Sequence, residues 1–101
     1  MRIQAFKLNT GEEIVSQVKS FDLETKKYTL EKPRTIMMTP GQDRQLHLSL
    51  VPWMVASQDP DGSAECDVKL HDSAVIGEAV TVPEKLEKGY MQNISTIQLL
   101  S

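Results

Sequence analysis

The feature that most restricts the fold is a series of short alternating segments separated by turn residues. Over residues 46–50 leucine alternates with polar residues, which gives a strand one buried and one solvated face. Turn compositions stand at residues 9–11 (Asn-Thr-Gly) and 39–42 (Thr-Pro-Gly-Gln). Pro33 lacks the N–H that a strand ladder needs, so it is predicted at an edge or a bulge. The pattern predicts strands over about residues 2–80.

The last fifth of the chain has helical signals instead. Thr81 stands three residues before Glu84, a capping-box pattern, and apolar residues then recur every four positions. A helix is therefore predicted over about residues 82–93, followed by an extended tail over 94–101. Five or six short strands with one helix suit a strongly bent sheet that curls on itself. We expect a mostly β single domain over residues 1–101: a five-stranded open barrel with a short C-terminal helix.

Composition excludes several classes of protein. The single cysteine, Cys66, excludes an intrachain disulfide framework and favours a reducing compartment. No secretory signal is visible, and no stretch approaches the roughly 18 apolar residues of a membrane helix. A cytoplasmic protein without a membrane partner is therefore expected. The net charge of −3 argues against a polycation that coats nucleic acid, so any anion site must be local.

Charge is unevenly distributed along the sequence. Residues 26–44 contain five basic and two acidic residues, whereas residues 57–72 contain five acidic residues and one basic residue. This asymmetry suits one positive face or complementary edges on identical subunits. Scattered, solvated charge on loops is the alternative interpretation.

No residue constellation supports catalysis, a metal or a cofactor. Asp59, Asp61 and Gly62 match the start of a calcium loop, but its further ligands and closing glutamate are missing. His71 and Asp72 are adjacent, and neighbouring strand side chains point apart, so they do not form a dyad. We therefore predict a protein that is not an enzyme and has no cofactor and no small-molecule substrate.

One segment carries a family resemblance. Residues 8–22 resemble the first motif of Sm-like (LSm) proteins, in which apolar, glycine and Phe-Asp positions follow at fixed spacing. The positions in register are Leu8, Gly11, Ile14, Val18, Phe21 and Asp22, and Ser16 replaces the second glycine. Residues 68–76 are similar to the second motif, with Leu70-His71-Asp72 where the family has Ile-Arg-Gly. The C-terminal helix, residues 51–53 and the Tyr90 ending resemble most closely the small Sm-like proteins of marine cyanophages and ocean metagenomes.

The resemblance implies a bent five-stranded barrel that joins its neighbours edge to edge in a closed homo-oligomeric ring. A short open barrel leaves strand edges unpaired, and cyclic assembly removes them. The edges expected to form the joint lie near residues 45–56, 66–71 and 75–80. The family also implies binding of RNA or single-stranded DNA, through the loops after the second and fourth strands.

Five residues are implied as the nucleic-acid site: Asp22, Lys26, Lys27, His71 and Asp72. In these roles Asp22 organises its loop, Lys26 and Lys27 contact phosphates, and His71 contacts a base. The protein would then act in nucleic-acid processing or regulation, in a bacterial or phage-infected cell. The alternative is a phage-type structural or protein-interaction ring without nucleic acid, which the net charge and the acidic segment 57–72 favour.

Overall fold

The structure, a computed structural model, describes residues 2–59 and 64–100, and the side chains of residues 2–59 and 64–95. Its elements are β1 (Arg2–Leu8), β2 (Glu13–Asp22), β3 (Lys27–Pro40), β4 (Leu46–Pro52), β5 (Val68–His71), β6 (Val75–Ala79) and α1 (Glu84–Leu100). Short 3-10 turns lie at Val55–Ser57 and Asp72–Ala74. The predicted mostly β fold with one C-terminal helix is confirmed.

All strand pairs are antiparallel and form one bent sheet in the order β4-β3-β2-β1-β6, with β5 also on β3. Strand β4 pairs with Arg34–Pro40, whereas β5 pairs with Lys27–Leu30. Together β4 and β5 thus occupy the place of one strand beside β3, interrupted by residues 53–67. This interruption explains why six strands are seen where five were predicted.

The sheet bends where β2 and β3 lose register. The pairing shifts between Val15 and Gln17, so Ser16 faces a bulge that contains Lys32 and Pro33. Lys32 has a φ of 53°, and the Ser16 hydroxyl donates to the Glu31 carbonyl at 3.0 Å. The bulge places Pro33 where the sequence predicted it, away from a regular ladder. Ser16 is fully buried, so a small side chain suits this position.

Two apolar clusters lie on opposite faces of the sheet. The barrel interior contains Phe6, Leu8, Ile14, Val18, Leu30 and Leu70, with Trp53 packed against it. On the other face α1 contributes Tyr90 and Ile94, which pack with Val15. The helix therefore closes the face of the sheet that the barrel does not enclose.

The helix is longer than the sequence predicted. Residues 94–100 are helical, where an extended tail was expected over 94–101, and residue 101 lies outside the described residues. Ile94 lies one helical turn after Tyr90 and is buried in the same cluster. Packing against the sheet thus supports the helix beyond residue 93, a contribution that helix propensity does not include.

Arg34 is fully buried, and its guanidinium forms a two-point ion pair with the Glu65 carboxylate at 2.9 and 3.1 Å. Its Nε also donates to Asn93 Oδ1 of α1 at 2.9 Å, and Asn93 Nδ2 donates to the Leu50 carbonyl at 3.1 Å. Arg34 belongs to the basic segment of the sequence and Glu65 to the acidic one. Part of the charge asymmetry is therefore neutralised inside the molecule.

Tyr90 fixes the helix to the bulge. Its hydroxyl accepts a hydrogen bond from the Gln17 N–H at 3.1 Å and lies 2.9 and 2.8 Å from the carbonyls of Glu31 and Lys32. Burial raises the pKa of Tyr90 to about 12. The neutral phenol is thus stabilised in the folded chain, which predicts a measurable dependence of stability on alkaline pH.

We expect the stability that Tyr90 contributes to fall as pH rises from about 10 to about 12. The unfolded side chain loses its proton near pH 10 and the folded one only near 12, so between these values ionisation lowers the free energy of the unfolded state but not that of the folded state. Urea unfolding of the wild type and Tyr90→Phe at pH 9, 10 and 11 tests this. Lysines titrate in both proteins, so the difference between them isolates Tyr90. That difference should shrink by about 1 kcal/mol by pH 11; a constant difference would contradict the assignment.

Candidate functional site

The turn between β2 and β3 is held by the side chain of Asp22. Asp22 Oδ1 accepts hydrogen bonds from the backbone N–H groups of Glu24 at 2.8 Å and Thr25 at 3.2 Å. These two bonds are the main cause of a lowered pKa of the Asp22 carboxyl. The Lys26 N–H donates to the Asp22 carbonyl at 2.8 Å, and Lys26 has a φ of 59°. Asp22 therefore organises a defined turn that presents Lys26.

Strand β5 brings the second predicted loop to this turn. Asp22 faces Lys27 across β2 and β3, and Lys27 faces His71 across β3 and β5. Residues directly opposite in antiparallel strands project from the same face, so these three side chains share one face. The Asp72 N–H donates to the Lys26 carbonyl at 3.0 Å, which ties the two turns together. The structure thus brings all five predicted site residues to one end of the sheet.

Asp72 nevertheless belongs to a different surface. It lines an open depression of about 300 Å³ with Tyr28 and Glu78, and its charge acts on the Tyr28 hydroxyl. Tyr28 follows Lys27 in β3 and so projects from the opposite face of the sheet. Burial, with the hydrogen bond that its hydroxyl donates to Glu78, raises the pKa of Tyr28 to about 12. Asp72 thus lines the same depression as Glu78.

The sequence-based prediction missed two residues of the shared face. Thr29 and Lys69 face each other across β3 and β5, two positions from Lys27 and His71. Lys69 Nζ donates to Thr29 Oγ1 at 2.5 Å, and Lys69 is exposed. The alternation of apolar and polar residues over 68–71 already indicated that Lys69 and His71 project from the same face, and buried and exposed residues alternate there in the structure.

We call this face the outer strip; it consists of Asp22, Lys27, Thr29, Lys69 and His71. Its charged groups are two ammonium groups and one carboxylate, and two backbone N–H groups already bind that carboxylate. Lys69 also lowers the pKa of Asp22 by its charge, which indicates that the two side chains are close. The strip combines cations with hydrogen-bond donors, an arrangement that suits an anionic ligand.

Aromatic side chains are not part of the outer strip. Phe21 and Tyr28, which flank it in sequence, pack against each other with ring centroids 4.6 Å apart. Tyr28 also contacts Phe6 in the barrel interior, and Trp53 packs against the same cluster. His71 is therefore the ring on the outer strip that is available to stack on a base.

Both outermost strands of the sheet present apolar side chains. In β4, Leu46 and Leu48 are 64% and 45% exposed, and in β6 Ile76 is 67% exposed. Residues 45–57 contain no Asp, Glu, Lys or Arg, although a quarter of the chain is charged. In monomers, charged residues or proline on an edge strand usually prevent its pairing with another chain. Here a proline, Pro52, is present only at the end of β4. The β4 edge is therefore apolar and has no charged side chain of its own.

Among residues 2–59 and 64–100, no cluster of His, Cys, Asp or Glu is arranged to hold a metal ion, and the calcium-loop positions Asp61 and Gly62 lie outside these ranges. No helix in the described part of the chain is long and apolar enough to cross a bilayer. No protein-family model matches the chain, and no curated protein matches its sequence.

Proposed function

We propose that the chain is an Sm-like small-barrel protein that assembles into a homo-oligomeric ring and binds RNA or single-stranded DNA. In this role it acts in nucleic-acid processing or regulation. One observation carries the proposal: Asp22, Lys27 and His71 stand in one cross-strand register, with Lys26 at the adjoining turn. These residues come from the two loops that the Sm-like resemblance assigns to nucleic acid.

The strand order supports the Sm-like interpretation. Strands β1, β2 and β3 form a meander, β4 and β5 together take the place of a fourth strand, and β6 returns to β1 as a fifth. A three-residue 3-10 turn, Asp72–Ala74, joins the last two strands. The buried Ser16 at the bend serves the same purpose as the small residue of the first motif. A strongly bent five-position barrel with two open edges follows from this order.

Ring assembly follows from the two open edges. Pairing β4 of one copy with β6 of the next joins a different edge on each subunit, and such a head-to-tail contact closes into a ring when the rotation fits. It would bury apolar side chains such as Leu48 and Ile76, which are exposed in the single chain. It would also remove both unpaired strand edges.

The chemistry of the site suits a phosphate backbone with limited base contact. Lys26 and Lys27 are flexible cations that attract phosphate oxygens without regard to sequence. His71 offers a ring for stacking and a nitrogen for a hydrogen bond. Because a single ring is available for stacking, most of the affinity should come from charge and should decline with salt.

Replacing both Lys26 and Lys27 with alanine should weaken binding to short single-stranded oligonucleotides. Each phosphate contact that is lost makes the slope of log K against log salt less negative by about 0.7. The slope of the double variant should therefore be less negative than that of the wild type by about 1.4. Fluorescence anisotropy with oligo-U and oligo-A at several salt concentrations measures the slope. Lys85→Ala/Lys88→Ala removes the same charge from α1 and should leave the slope unchanged.

Absence of binding at low salt, in the wild type and the Lys26/Lys27 variant alike, would overturn nucleic-acid binding. The protein-interaction ring would then be the better account, because Asp72 and Glu78 give the adjoining depression an acidic lining. The ultraviolet absorbance ratio of the purified protein provides an early indication, since bound nucleic acid co-purifies and raises it. A ratio typical of pure protein would favour the rival function.

A further inference from the structure

Lys69 is an exposed cation that the two-loop site does not use. Three other lysines of the described chain are paired with carboxylates: Lys7 with Glu13, Lys19 with Asp67, and Lys88 with Glu84. Within the described residues, Lys69 forms no such ion pair, and its ammonium group donates to the hydroxyl of Thr29. The charge of Lys69 acts on the nearby Asp22 carboxylate without forming an ion pair with it, so the ammonium group remains available to an anionic ligand.

The outer strip has two levels. Lys27 and His71 form one cross-strand pair, and Thr29 and Lys69 form another pair two residues away on the same face. Neighbouring strands are about 4.8 Å apart, and two residues along a strand span about 6.6 Å. Each level thus places one ammonium group beside one further hydrogen-bonding group, and the two levels follow each other along β5.

Thr29 completes the second level as a donor. A hydroxyl has one hydrogen and two lone pairs, and Thr29 Oγ1 uses a lone pair to accept from Lys69 Nζ. Its own hydrogen therefore remains available for another acceptor. An ammonium group and a hydroxyl side by side offer two donors to the oxygens of one phosphate group.

We propose that Lys69 and Thr29 form a second phosphate-binding position. A single-stranded nucleic acid would then run along β5, with successive phosphates at the two levels of the outer strip. The inference rests on the proposed function and extends it, because it places the bound nucleic acid on the face of the sheet as well as at the two turns. The nucleic acid would contact the Lys27 level first and the Lys69 level next. Asp72 and the acidic depression lie on the opposite face, away from the phosphates.

Lys69→Ala should reduce the salt slope of oligo-U binding by about 0.7 and weaken binding about five-fold at 0.1 M salt. Lys69→Arg keeps the charge and should retain the wild-type slope. Thr29→Val keeps the shape of the side chain but removes the hydroxyl donor, so it should weaken binding with little change in slope. Lys85→Ala is the matched control, since it removes one exposed lysine from α1. Circular dichroism checks that each variant is folded.

The outcomes separate this inference from the proposed function. If Lys69→Ala binds like Lys85→Ala while the Lys26/Lys27 variant is weakened, the second phosphate position is wrong and the two-loop site stands. If the wild type binds no oligonucleotide, both proposals fall. A reduced slope for Lys69→Ala, restored in Lys69→Arg, supports the path along β5.

Discussion

Replacing Arg34 with alanine should lower the free energy of unfolding by about 3–5 kcal/mol. The substitution leaves the Glu65 carboxylate without its two-point partner, and the Glu65 side chain is only 6% exposed. The carboxylate would keep a hydrogen bond from Gln58 Nε2 at 3.2 Å but no opposite charge, and that single bond does not compensate for its lost hydration. The change also removes the Nε donor to Asn93, which connects α1 to the sheet. Because small domains are stable by only about 5–15 kcal/mol, much of the folding free energy would be lost.

Urea unfolding at neutral pH, followed by circular dichroism, measures this loss. Lys19→Ala is the control, because Lys19 also forms an ion pair, with Asp67 at 2.8 Å, but both side chains are 40% exposed. An exposed pair contributes at most about 1 kcal/mol, so Lys19→Ala should be nearly neutral. Glu65→Gln is a gentler change that leaves the Arg34 charge unpaired, and it should also destabilise if Arg34→Ala proves too unstable to purify. Equal, small losses for Arg34→Ala and Lys19→Ala would show that the buried pair is not a major source of stability.

If the chain assembles through the β4 edge as proposed, replacing Leu48 with lysine should produce monomers. Leu48 lies in the middle of β4 and is 45% exposed, in the stretch of residues 45–57 that has no charged side chain. A lysine on an edge strand keeps its ammonium group in water and so opposes pairing with a second chain. Since Leu48 is already half exposed, the fold of the single chain should be largely retained.

Met91→Lys is the matched control for this change. Met91 is 41% exposed on α1, away from both strand edges, so the same substitution there should leave the assembly intact. Sedimentation velocity of both variants at tens of micromolar gives their masses, and thermal unfolding confirms that both are folded. A Leu48→Lys protein with the mass of the wild type would exclude the β4 edge as the joint.

Local patterns in the sequence predicted the parts of the fold that depend on neighbouring residues. The alternation of leucines in β4 and the turn signals of the β1–β2 and β3–β4 hairpins are such patterns. Asp22 is another, because its hydrogen bonds reach only two and three residues ahead. The Sm-like resemblance grouped Lys27 and His71 in one predicted site, but their cross-strand register, which joins residues far apart in sequence, was not predicted.

Features that depend on distant contacts were not predicted. The helix continues past residue 93 because Ile94 packs on β2, and nothing in the helical segment itself signals that contact. The ion pair of Arg34 with Glu65 joins residues 31 positions apart. It buries one charged residue of the basic segment and one of the acidic segment. Lys69 was overlooked because its role depends on the register with Thr29. The sequence therefore indicated the end of the sheet where the candidate site lies, but not the full set of side chains on that face.

The mass of the wild-type particle in solution tests the central claim most directly. Light scattering coupled to size exclusion at tens of micromolar should give a single species larger than a dimer, with a mass that is a whole-number multiple of 11.3 kDa. Addition of a short oligonucleotide at low salt should increase that mass without changing the number of protein subunits. A monomer under these conditions would contradict the account of a barrel whose open edges are closed by ring assembly.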